Sequence, residues 1–168
     1  MKKLNLILIA LLFSFSAFSQ KNDVVDIAIG SSDHTTLVAA VQAADLVSTL
    51  KSDGPFTVFA PTNQAFNNLP QGTVETLLKP ENKEQLTKIL TYHVVEGNFD
   101  ADAVIAAVEK GNGKVVLTTV SGSKLSVSLD KDRVKLTDES GNSAFVTAAD
   151  LKGSNGVVHV IDEVVLPN

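Results

Sequence analysis

The apolar residues of this chain change their spacing once, at Gly111-Asn112-Gly113, and that change sets the fold class. Before it they recur every three or four residues; after it they alternate with polar ones. A period of 3.6 buries one face of a helix, and a period of two buries one face of a strand. Helices in the first half and short antiparallel strands in the second make an α+β protein.

In the helical half, Leu37, Val41, Ala44, Val47 and Leu50 predict one helix from Asp33 to Leu50, with Asp33 as its N-cap. Ser52-Asp53-Gly54-Pro55 stops it. Phe56 to Ala60 is a short strand closed by Pro61, and Thr62 caps a helix running through Leu69. Thr73 to Leu78 and Glu81 to His93 are two more helices, and Asp100 caps another on which Ala101, Val104, Ile105 and Val108 share a face. Beyond Gly113, strands are expected at Val115 to Val120, Leu125 to Leu129, Val134 to Leu136, Ala144 to Ala148, Val157 to Ile161 and Glu163 to Leu166. The strand at Phe56 must pair with later ones, because a lone strand leaves its backbone groups unsatisfied.

The first nineteen residues read as an address. Met1-Lys2-Lys3 is a positive start, Leu4 to Phe18 is apolar, and Ala17-Phe18-Ser19 places small residues at a cleavage site. Residues 1–19 are thus expected to be a secretory signal peptide, and 20–168 a single exported domain with no stable membrane anchor after cleavage. The expected destination is secreted, periplasmic or cell-surface.

Chemistry is sparse. A formal net charge of −5 removes the basic footprint of a nucleic-acid binder, and the absence of Cys excludes disulfides, thiolate metal sites and a Cys nucleophile. His34, His93 and His159 have no partner at metal-ligand spacing. Ser121-Gly122-Ser123 and Gly153-Ser154-Asn155-Gly156 read as turns rather than nucleophile elbows. Asp130, Asp132, Asp138 and Glu139 lack the spacing of a calcium loop. No catalytic residue, cofactor or metal is expected, and the chain is read as no enzyme.

Three blocks remain distinctive: Gly54-Pro55-Phe56-Thr57-Val58-Phe59-Ala60-Pro61-Thr62-Asn63-Gln64-Ala65-Phe66, Leu90-Thr91-Tyr92-His93-Val94-Val95-Glu96-Gly97, and Asn155 through Pro167. Together they strongly resemble the fasciclin domain, from about Val24 to Pro167. The resemblance implies a wedge-like β-sandwich with the helices of the N-terminal half packed around it. It also implies adhesion or matrix binding to an extracellular protein or polysaccharide at the cell surface. A carrier of a small hydrophobic ligand, pigment or lipid, in a groove between helices and sheet is the alternative. By the same resemblance Tyr92, His93, Asp150 and Leu151 are candidates for partner contact, with Asp150 also able to orient the turn at Asn155-Gly156.

The motif residues have a structural reading as well. Pro61 fixes φ at a strand end, and Thr62 caps a helix. Gly156 suits a left-handed turn position, and Tyr92 and His93 can bury their rings if a polar atom finds a partner. Thr57, Asn155 and His159 belong with them as determinants of the fold.

Overall fold

The computed structural model describes residues 22–168, so the signal peptide expected at 1–19 lies outside the described residues. In chain order the helices of the first half are α1 (Val24–Ile29), α2 (Thr35–Ala43) and α3 (Val47–Leu50). After strand β1 (Phe56–Pro61) come α4 (Asn63–Asn67), α5 (Thr73–Leu77) and α6 (Lys83–Tyr92). Strand β2 (Val94–Glu96) and helix α7 (Ala101–Lys110) lead into the strand half. That half holds β3 (Lys114–Thr118), β4 (Lys124–Asp130), β5 (Arg133–Thr137), β6 (Ser143–Gly153) and β7 (Gly156–Ile161). The fold is α+β, as the change of period requires.

All seven strands join in one sheet, ordered β2-β1-β7-β6-β5-β4-β3. Every pairing is antiparallel except β1 with β7, which run parallel in the register Phe56↔Gly156 to Pro61↔Ile161. A single bridge, Val95↔Thr119, connects the two ends, so the sheet curls into a nearly closed barrel. The wedge-like sandwich is therefore one continuous sheet folded over. β6 makes the fold possible: its register slips between Val146 and Ala148 and again before Leu151. Such bulges bend a strand and sharpen its twist.

Two apolar clusters fill the structure. One lies inside the curled sheet, where Leu125, Val127, Leu136 and Ile161 meet Tyr92, Phe59 and Val108 of α7. The other packs α1, α2 and α6 against the far side of β1 and β7 through Val24, Leu37, Val41, Leu86, Leu90 and Val158.

Local signals in the sequence are largely realised. Thr62 Oγ1 accepts from the Ala65 N–H at 3.2 Å, and Asp100 Oδ1 accepts from the Ala103 N–H at 3.0 Å. Three expectations need correction. The single helix from Asp33 to Leu50 is broken: Asp45 takes φ +56°, and the segment divides into a 3-10 turn at Ser32–His34, α2 and α3. Ser31, not Asp33, supplies the side-chain cap, accepting from the Asp33 N–H. The strand expected at Glu163–Leu166 does not form. Val165 is buried all the same, and its N–H donates to His93 Nε2 at 3.3 Å, while the Leu166 N–H donates to Asp138 Oδ2 at 3.1 Å. Side chains, rather than a neighbouring strand, satisfy that backbone. Helix α1 was not foreseen; Asp23 and Asp26 form its capping box, a signal present in the sequence but attached to only six residues.

Candidate functional site

Tyr92 ends α6 and His93 is its C-cap, so both rings point into the core that the helix faces. Tyr92 is fully buried and His93 is 2 % exposed, which leaves neither a surface to offer a partner. The Tyr92 hydroxyl donates to the Lys124 carbonyl at 2.8 Å, tying α6 to β4. Burial, with Asp138 and Glu139 adding repulsion to the phenolate, pushes its pKa up to about 12. His93 Nδ1 lies 2.8 Å from the Ile89 carbonyl, and its Nε2 faces the Val165 N–H. A backbone N–H can only donate, so Nε2 holds the lone pair and the proton sits on Nδ1. Burial holds the ring neutral and pushes its pKa down to about 4.

Asp150 and Leu151 lie on the second bulge of β6, and both are exposed. Asp150 takes φ +60°, a left-handed conformation that Asp tolerates better than most residues. Its Oδ1 accepts from the Ala101 N–H at 2.8 Å, adding a second cap to α7 beside Asp100. Its own N–H approaches His159 Nδ1 at 3.4 Å. His159 Nε2 then donates to the Phe99 carbonyl at 2.7 Å, and the ring stacks on Phe59 with centroids 5.7 Å apart. The two histidines thus use opposite tautomers, each fixed by its neighbours. Asp150 is accordingly a brace between β6, β7 and α7, and it does not orient the Asn155-Gly156 turn. The four contact candidates form no common surface: one pair is inside, the other outside.

The remaining motif residues hold the start of β1. Thr57 Oγ1 donates to the Gly97 carbonyl at 2.7 Å and accepts from the Phe99 N–H at 2.9 Å. Asn155 is a hub: its Nδ2 donates to the Leu50 and Ser52 carbonyls at 2.8 and 2.9 Å, and its Oδ1 accepts from the Val24 N–H at 3.0 Å. Gly156 corrects another expectation. It is not among the residues with positive φ; a Cβ there would instead overlap the Phe56 carbonyl across the parallel β1–β7 pair. Pro61 closes β1 fully buried, opposite Ile161.

Sequence reasoning passed over Asp138, set aside as a poor calcium ligand. It is 5 % exposed, and its two oxygens accept from the Ser140, Asn142 and Leu166 N–H groups and from Asn142 Nδ2. Its short-range signal was legible as an Asx turn into Ser140 and Asn142; the tie to Leu166 was not. His34 is also buried, with Nδ1 2.8 Å from Ser31 Oγ, Nε2 without a partner, and a pKa lowered by burial. Among the described residues no group of three potential metal ligands occurs, and no helix is long and apolar enough to cross a membrane.

One enclosed apolar cavity of ≈ 70 Å³ lies beneath α1 and α2, lined by Val24, Val25, Leu37, Val41, Val58 and Leu90 among others, with His93 at its floor. A dry cavity of about 150 Å³ accommodates a single benzene. The space is thus too small for a pigment or lipid unless α1 moves.

Comparison with known proteins agrees with this architecture. The fasciclin domain family model matches residues 32–167. Protein sll1483 of Synechocystis sp. is 51 % identical over 144 residues, 86 % of this chain and 73 % of that protein. Transforming growth factor-beta-induced protein ig-h3 of Sus scrofa is 40 % identical over 145 residues, 86 % of this chain but 19 % of that protein. Among solved structures, a FAS1 domain pair from the insect cell adhesion molecule Fasciclin I superposes with a TM-score of 0.53 at 20 % identity, covering 84 % of this chain and 43 % of that one.

Proposed function

The chain belongs to the fasciclin domain family, and from that premise we propose that it is an exported, non-catalytic interaction module. It binds an extracellular protein or polysaccharide through its exposed surface. The observation that carries this reading is where the reactive side chains are spent. Both ring nitrogens of His93 and His159, the hydroxyls of Tyr92 and Thr57, and the carboxylate of Asp138 are engaged inside the fold. None of them is left facing a cleft as a nucleophile or general base. The use of the same fold by an insect cell adhesion molecule supports the reading. Of the contact candidates, Asp150 and Leu151 remain on the surface available for such binding.

The test is co-sedimentation of the purified protein with washed cell envelopes and extracellular matrix. Saturable binding is expected; a protein that stays wholly in the supernatant refutes the proposal. The cavity beneath α1 keeps the carrier reading in view. Solvent extraction and mass spectrometry of protein from its native source should then release a stoichiometric hydrophobe, which the interaction reading does not expect.

A further inference from the structure

Charge is unevenly distributed along this acidic chain. Between residues 110 and 137 stand six cationic side chains, Lys110, Lys114, Lys124, Lys131, Arg133 and Lys135, against two carboxylates, Asp130 and Asp132. Pairing register gathers them. Lys114, Ser128, Lys135 and Phe145 are cross-strand neighbours in one row, and Val116, Ser126, Thr137 and Ser143 form the next. Directly opposed residues share a face of the sheet. The opposite face carries Leu117, Leu125, Val127 and Leu136 and is buried against α7. The outer face is therefore flat, rich in hydroxyls and open: Lys114, Val116, Thr118, Lys124 and Arg133 are all exposed.

Its cations are uncommitted. Among the described residues, ion pairs are made by Lys51 and Lys83, and none by Lys114, Arg133 or Lys135. Asp130 stands opposite Arg133 in register without pairing to it. Arg133 lies over the Phe145 ring instead, 4.1 Å from its centroid, with Lys135 Nζ at 6.0 Å. Stacking restrains the guanidinium and leaves its N–H edge available, so less freedom is lost when it closes on a carboxylate or sulfate. At the far end Glu139 accepts from the Lys124 N–H and offsets that cation, which centres the patch on Lys114, Arg133 and Lys135.

The geometry points to the outer face of β3–β4–β5–β6 as the binding surface for an anionic polysaccharide, whose acidic groups meet Lys114, Arg133 and Lys135 while sugar hydroxyls meet the serine and threonine rows. This deepens the interaction-module reading and rests on it. A protein partner would call for a cluster of buried aromatic anchors, and this face has one ring, already covered by Arg133. A flat, hydroxyl-rich surface with spaced cations suits an extended sugar chain. Neighbouring strands are about 4.8 Å apart, which puts Lys114 and Lys135, two strands removed, roughly 10 Å from each other.

The experiment measures binding of the purified protein to immobilised polyuronate, with heparin as the sulfated arm. Dextran, anionic phospholipid vesicles and single-stranded DNA are the comparisons. Binding to polyuronate or heparin is expected, weakening several-fold as salt rises from about 0.05 to 0.25 M. The K114Q/R133Q/K135Q variant should lose at least roughly tenfold in affinity, and R133K an intermediate amount. Thermal melts of both should match the parent, since the altered side chains are on the surface. Equal binding by the triple variant overturns the inference, as does equal affinity for dextran, vesicles or DNA. A protein that sediments with envelopes yet binds no polysaccharide refutes this inference and leaves the module reading standing; one that sediments with nothing refutes both.

Discussion

Acid should weaken this fold through His93, and the effect is large enough to isolate. The ring is buried and neutral, with Nδ1–H donating to the Ile89 carbonyl and Nε2 accepting from the Val165 N–H. A proton on Nε2 would set two donors against each other, with no carboxylate at hand to compensate. Its pKa is about 4 in the fold and near 6.5 in the unfolded chain. Between those values the unfolded state binds more protons, so stability falls as pH drops from about 6.5 towards 4 and levels below that. A gap of about 2.5 units corresponds to roughly 3 kcal/mol at most. The assay is urea denaturation of the parent and of His93→Gln at pH 7.5, 6, 5 and 4. Titration of the carboxylates and of His34 is common to both proteins, so their difference isolates the ring. The parent should be clearly the more stable at pH 7.5, and its advantage should shrink by roughly 3 kcal/mol by pH 4. A difference that stays flat across this range would show that the native ring accepts a proton freely, and the buried, tautomer-fixed imidazole would be wrong.

Four further substitutions probe the frame around it. Gly156→Ala should cost more than about 3 kcal/mol, because the new Cβ collides with the Phe56 backbone; a melt within a degree or two of the parent would show that β1 and β7 can separate cheaply. Asn155→Ala strands the Leu50 and Ser52 carbonyls and the Val24 N–H, so a loss of about 2–3 kcal/mol is expected in urea titrations. Asp150→Ala should cost about 1 kcal/mol through the lost α7 cap and the left-handed backbone, while Asp150→Asn, which keeps an acceptor and tolerates φ +60°, should cost less than half of that. Thr62→Ala should also cost about 1 kcal/mol by the loss of the Ala65 N–H acceptor, and an unchanged melting curve would deny the cap any energetic role.

What was legible before the structure was seen follows a physical division. Thr62 and Asp100 were read correctly because a cap reaches three residues along the chain, and residue type at that spacing is sufficient. The helix from Asp33 to Leu50 was read as unbroken because its apolar spacing survives the turn at Asp45, whose left-handed φ has no mark in the pattern. Val164 and Val165 looked like a strand because they are buried, yet their segment bonds to His93 and Asp138, residues that no local window contains. The basic face was hidden by an overall charge of −5, although Lys124, Ser126 and Ser128 already showed a wet side to their strand.

By itself, then, the order of residues settled the α+β class, most element positions, the local caps and the fasciclin family, since each depends on periodicity, short-range hydrogen bonding or matching blocks. Only the tertiary structure decided that the strands form one curled sheet, that Tyr92 and His93 are core, that Asp150 braces α7, and that Gly156 is needed for backbone proximity. Those outcomes hang on contacts between segments up to 131 residues apart. Whether a given side chain faces a partner or a neighbouring strand is set by what the rest of the chain brings against it.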